Sequence, residues 1–68
     1  MKWIKGNKPE KAGTYWITYK DEDGKSWVQV ADFERWGPND EVWFDKDGDV
    51  ENVIAYAAYQ HPKPYKED

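Results

Sequence analysis

Two runs of β-forming residues on either side of a turn tetrapeptide limit what this chain can fold into. "TYWITYK" (residues 14–20) and "SWVQVADF" (residues 26–33) flank "DEDG" (residues 21–24). β-Branched and aromatic side chains suit a pleated, half-buried surface, and Asp-Gly pairs suit tight turns, so the segment reads as a β-hairpin. Side chains alternate across a strand. Tyr15, Ile17 and Tyr19 therefore share one face, with Trp16 and Thr18 on the other. In the second run Trp27, Gln29, Ala31 and Phe33 share one side, and Val28 and Val30 lie opposite.

The rest of the chain continues the pattern. "WGPND" (residues 36–40) reads as a break, because Gly-Pro does not sit inside a ladder. "EVWF" (residues 41–44) is a short third strand, and "DKDGD" leads into "VENVIAYAAY" (residues 50–59). That last run has two readings. Asn52 suits the N-cap of a helix carrying Ala55, Ala57 and Ala58, whereas Val53, Ile54, Tyr56 and Tyr59 favour extended structure and Pro62 stops a helix early. Strand is preferred. "KWI" (residues 2–4) suits a small edge strand and "GNKPEKAG" (residues 6–13) a polar loop. The expectation is an all-β fold, a small antiparallel meander of three to five strands, becoming α+β only if residues 52–60 are helical. One β domain is expected over residues 1–60, with "HPKPYKED" (residues 61–68) as an extended, Pro-containing tail.

Sixty-eight residues without cysteine are near the lower size at which an apolar core alone holds a fold. The aromatics compensate: there are five Trp, five Tyr and two Phe, and each ring buries roughly 150–250 Å². Tyr15, Trp16, Ile17, Trp27, Val28, Val30, Trp43 and Phe44 are expected in the core or as cross-strand partners. So many rings exceed what a small core hides, and exposed Trp and Tyr are the residue types that anchor interfaces. Trp36, in "RWGP", either caps the core or faces a partner. Tyr59 and Tyr65 flank the prolines of the tail and either pack across the sheet or present an aromatic-proline surface.

The net charge of −4 is unevenly spread. Residues 1–31 carry six lysines against four acids, whereas residues 32–51 carry eight acids against Arg35 and Lys46. An acidic middle argues against a nucleic-acid backbone as direct partner. The segment with Asp40, Glu41, Asp45, Asp47, Asp49 and Glu51 either solubilises the protein or meets a basic surface, such as one that normally holds nucleic acid. No run approaches the ~18 apolar residues of a membrane span, and no signal-peptide core is present, so a cytoplasmic, non-membrane protein is expected.

Catalytic and metal chemistry find little support. "FDKDGDV" (residues 44–50) begins like an EF-hand calcium loop, which needs Gly at its sixth position and a bidentate Glu at its twelfth. Those positions hold Val50 and Tyr56, while Asp47-Gly48 suits a β-hairpin, with Asp45 and Asp49 as exposed charges around the turn. Ser26 and His61 are the lone serine and histidine, and Ser26 lacks the glycine context of a nucleophile elbow. No Gly-rich phosphate loop is present. No catalytic residue, metal or cofactor is expected.

The order "KWI", Pro9-Glu10, Gly13 before "YWITY", then "VADF", "DGDV", "VIAY" and "PKPYKED" resembles the small phage and prophage proteins of domain of unknown function 551. Members of that family typically open with Trp-Ile and a Pro-Glu-x-Gly loop, and close with Val-x-x-Trp-x-Pro-Leu-Pro-x-Pro. Here Tyr56 stands where the closing Trp is usual, and "AAYQH" (residues 57–61) replaces Met-Pro-Leu-Pro. The resemblance spans nearly the whole chain and implies a small antiparallel β domain without established catalytic residues. A phage accessory protein of this kind is expected to act by occupying a target. The leading expectation is a counter-defence inhibitor, anti-CRISPR-like, that binds a host effector protein in the bacterial cytoplasm. Its contacts would come from Trp36, Asp40, Glu41, Asp45, Asp47, Asp49, Glu51, Tyr59 and Tyr65. A second expectation is a sponge for a signalling nucleotide, stacking the base on Trp or Tyr and meeting phosphates with Lys2, Lys5, Lys8 or Lys11. The single arginine argues against it. A structural or regulatory phage protein is the third.

Overall fold

The computed structural model describes residues 2–59. Six strands follow in order: β1 (Ile4–Lys5), β2 (Gly13–Lys20), β3 (Ser26–Gly37), β4 (Asp40–Asp45), β5 (Gly48–Asp49) and β6 (Val53–Ala58). They form one antiparallel sheet in the order β1-β6-β2-β3-β4-β5. The all-β antiparallel class expected from the sequence is the one found. The sheet has six strands rather than three to five, and the meander runs only from β2 to β5 before β6 returns between β1 and β2.

Register confirms the alternation read from the sequence. Tyr15, Ile17 and Tyr19 stand opposite Ala31, Gln29 and Trp27, while Trp16 and Thr18 stand opposite Val30 and Val28. The preferred strand over the last apolar run is present as β6. Asn52 does not cap a helix: it takes φ 60°, and its carbonyl accepts the Lys20 N–H at 3.2 Å. Asparagine tolerates that left-handed backbone better than most residues, so Asn52 is the pivot into β6. The break expected over residues 36–40 is also shorter. The β3–β4 ladder runs on through a register shift between Arg35 and Gly37, leaving only Pro38 and Asn39 at the tip. Pro38 there removes no ladder hydrogen bond, and the bulge absorbs Trp36.

The link from β5 to β6 determines the shape of the sheet. Those strands are four inter-strand spacings apart, roughly 19 Å across a flat sheet. Only residues 50–52 join Asp49 to Val53, a reach of about 14 Å at full extension. The sheet therefore curls, carrying the β4–β5 hairpin back over the face that bears Ile17. Inside the curl lie Ile17, Ala31, Phe33, Trp43 and Val53, with Tyr15, Tyr19, Val50 and Tyr56 packed against them. Trp43 stacks edge-on to Tyr15 at 5.8 Å and tilts against Phe33 at 4.9 Å between ring centroids.

The loop at residues 6–12 closes the open end of the curl and is less polar in its packing than its composition suggests. Pro9 is buried, the Trp43 indole donates to the Asn7 carbonyl at 2.9 Å, and Arg35 donates to the Pro9 carbonyl at 3.1 Å. On the outer face Trp16, Val30 and Phe44 are half-buried, Ala57 is buried, and Trp16 meets Tyr59 edge-on. Val28 is 59% exposed there, and Trp27, on the inner face beyond the curl, is 50% exposed. Both were expected in the core or across a strand. Trp27 and Val28 have their cross-strand partners, Tyr19 and Thr18, but the hairpin projects past the reach of β4 and so past the core.

Candidate protein-binding surface

Two copies of one turn sequence, Asp-x-Asp-Gly, build the ends of the hairpins on this side of the sheet: residues 21–24 and 45–48. In each, the first aspartate accepts the backbone N–H two residues ahead, Asp23 onto Asp21 at 2.9 Å and Asp47 onto Asp45 at 2.8 Å. Such Asx-turns mimic a backbone turn, and the glycines follow at φ +79° (Gly24) and +125° (Gly48). The stretch that begins like a calcium loop is thus a hairpin. Asp45 is not simply an exposed charge: it is half-buried, and its second oxygen accepts Gln29 Nε2 at 2.8 Å.

These hydrogen bonds go to the ionised carboxylates and so favour ionisation. The Trp27 indole, bonded at 2.8 Å, is the foremost cause holding Asp21 below its ordinary value of 3.8, followed by the Lys25 and Asp23 backbone N–H groups. The Asp47 N–H, followed by Gln29, does the same for Asp45. A carboxylate with a depressed folded pKa adds stability above its unfolded pKa, and this is lost as pH falls through the folded value. Thermal stability should therefore decline as pH is lowered below about 4. In Asp21→Asn that acid limb should flatten, because the group no longer titrates. A melting series across this range in both proteins checks it; parallel curves would reject the assignment.

The curl brings the second turn against the sheet. Asp45, Asp47, Asp49, Val50 and Glu51 face Tyr19 and Gln29 across a shallow hollow of ≈ 230 Å³. Asp47, Asp49 and Glu51 are exposed, and Lys46 is the one cation in the turn. Among the described residues no group of three or more His, Cys, Asp or Glu is placed to hold a metal ion. The arrangement offers concentrated negative charge beside a tyrosine ring and a carboxamide.

The other expected contact residues fall elsewhere. Asp40 and Glu41 begin β4, at the opposite end of that strand from the hollow. Glu41 is already engaged, 3.3 Å from Arg35 and 4.0 Å from Lys8. Trp36, beside them on the β3 bulge, is 73% exposed. Tyr59 packs on Trp16 on the outer face, and Tyr65 lies outside the described residues, as does His61. The eight of these residues that are described thus do not form one patch; the structure gathers Asp45, Asp47, Asp49 and Glu51 and sets Trp36, Asp40, Glu41 and Tyr59 apart from them.

A second, larger hollow of ≈ 460 Å³ is lined by Ile4, Pro9, Glu10, Lys11, Tyr15 and Tyr56. Of the lysines named for a phosphate only Lys11 borders it, alongside Glu10, while Lys8 turns to Glu41.

Sequence reading did not pick out Tyr19, Gln29 or Val50 as parts of a site. Only the hollow joins them to the acidic turn, and no local signal marks them. Trp27 and Val28 carried a signal, alternation next to a turn, but it does not distinguish a hairpin under a core from one projecting beyond it. No family model matches the chain, and neither a curated protein nor a solved structure is significantly similar to it.

Proposed function

We propose that this chain is a non-catalytic binding protein whose acidic hollow occupies a basic surface on a protein partner. In the phage setting that the sequence resemblance implies, the partner is a host defence effector and the outcome is its inhibition. The observation that carries the reading is the gathering of Asp45, Asp47, Asp49 and Glu51 around one open hollow with Tyr19 and Gln29 as its other wall. Complementary charge steers encounter and fixes register, and a tyrosine in the wall supplies apolar contact area.

Asp47, Asp49 and Glu51 take no part in holding the turn through their side chains, so their charges are removable. In Asp47→Asn/Asp49→Asn/Glu51→Gln, the melting temperature should stay within about 5 °C of wild type. Affinity for a captured host effector should drop by about tenfold or more, with a flatter salt dependence. Capture from host lysate with wild type and variant side by side, followed by titration calorimetry on the captured protein, is the test. Equal capture by both would reject the acidic surface as the contact. The nucleotide-sponge reading would replace it if cyclic nucleotides, and no protein, raised the melting temperature.

A further inference from the structure

The long strand β3 is paired along only part of one side. β2 pairs with it from Ser26 to Phe33 without a register shift, but β4 pairs with it only from Asp32 to Gly37. Residues 26–31 therefore have no strand on the side away from β2 among the described residues. The phase of the ladder tells which backbone groups are left over. Asp21 N–H bonds the Lys25 carbonyl at 3.0 Å, so Lys25 faces β2, and alternation makes Trp27, Gln29 and Ala31 face it too. The N–H and C=O groups of Ser26, Val28 and Val30 then point outward.

Native proteins blunt such edges with charged side chains, proline, bulges or cover. The stretch "SWVQVA" has no charge and no proline, the ladder has no bulge there, and Trp27 and Val28 are half or more exposed. We infer that this edge is a strand-addition site, and that its occupant is an extended segment with basic and apolar residues in alternation. Gln29 sets the first requirement. It is on the inner face and forms a wall of the acidic hollow, so alternate residues of an added strand look toward Asp45, Asp47 and Asp49. Val28 and Val30 set the second, lying on the outer face beside the interleaved positions. A second copy of this chain fits worse, because pairing β3 with β3 brings two such groups of carboxylates to one seam. The inference rests on the protein-binding reading above and specifies the form of what is bound. Main-chain bonds supply affinity in this mode, and alternate side chains supply specificity.

The test uses proline as a probe of phase. Val28→Pro removes an outward N–H and leaves the β2 ladder whole, so the melting temperature should move by less than about 5 °C. Gln29→Pro removes a ladder bond to Ile17 and should lower it by more than about 10 °C. The ligand probe is a short peptide alternating Lys and Val. Its binding to wild type should protect the Ser26, Val28 and Val30 amides from hydrogen exchange, and Val28→Pro should weaken it by about tenfold or more. If Val28→Pro binds the peptide unchanged while the triple charge variant does not, the acidic surface stands and strand addition is overturned. If neither substitution matters, both readings fail. Concentration-dependent dimerisation of wild type that Val28→Pro abolishes would assign the edge to a second copy and overturn the peptide.

Discussion

Trp43→Ala should remove most of the stability of this protein. The indole is 6% exposed and meets Phe33, Tyr15 and Tyr56, and it donates to the Asn7 carbonyl that holds the 6–12 loop down. Truncating a buried Trp costs about 3–5 kcal/mol, and a chain of this length has roughly 3–10 kcal/mol in total. The expected result is a melting temperature lower by about 15 °C or more, or no cooperative transition at all. Trp43→Phe keeps an aromatic ring, though a smaller one, but orphans the Asn7 carbonyl, and should fall in between, costing about 1–2 kcal/mol for the lost hydrogen bond. Trp36→Ala is the control, since a side chain 73% exposed has little packing to lose. Thermal unfolding of the three variants checks the ranking; a Trp36 loss equal to that of Trp43 would mean the core is elsewhere.

Gly48→Ala should damage both the fold and the acidic surface, although there is ample space for the extra carbon. A Cβ built on Gly48 meets nothing within 4 Å, so any cost lies in the backbone, where φ is +125°. Non-glycine residues pay about 1–3 kcal/mol to occupy such regions. The β4–β5 hairpin should open first, because only two residue pairs join it. The carboxylates around the hollow would disperse with it, and affinity for a basic partner should fall along with stability. Gly37→Ala makes the contrast. Its φ is ordinary and its nearest neighbour would be Asp40 Cβ at 3.8 Å, so the change should be within about 0.5 kcal/mol. Denaturant midpoints for the two alanine variants decide it: equal shifts would count against strain at Gly48.

Much of the fold was legible because its signals are local. Alternation in residues 14–20 and 26–33 places Ile17, Ala31 and Phe33 inward, and the register agrees pair by pair. The Asp-x-Asp-Gly turns announce themselves in composition. Legibility ends where a choice depends on distant neighbours. The extent of the break after Trp36 depended on a bulge that only pairing with β4 stabilises. Asn52 suited a helix cap until the Lys20 N–H gave its carbonyl a partner in β2. Asp45 reads as an exposed turn charge until Gln29, sixteen positions earlier in the chain, reaches it. The acids of residues 40–51 form one block in sequence, yet β4 separates Asp40 and Glu41 from the rest.

By itself, the sequence determined that this protein would be an antiparallel β domain built from hairpins, with alternate residues facing inward and aspartate turns between strands. Those properties follow from φ/ψ preference, side-chain alternation and turn chemistry, each settled within a few residues. Tertiary structure alone decided that the sheet curls, because a three-residue link must span strands that lie four spacings apart. That curl buries Ile17 completely and sets the acidic turn against Tyr19 and Gln29, while residues 26–31 of β3 have, among the described residues, no strand on the side away from β2. Closure is a constraint between residues far apart in the chain, and no local pattern encodes it.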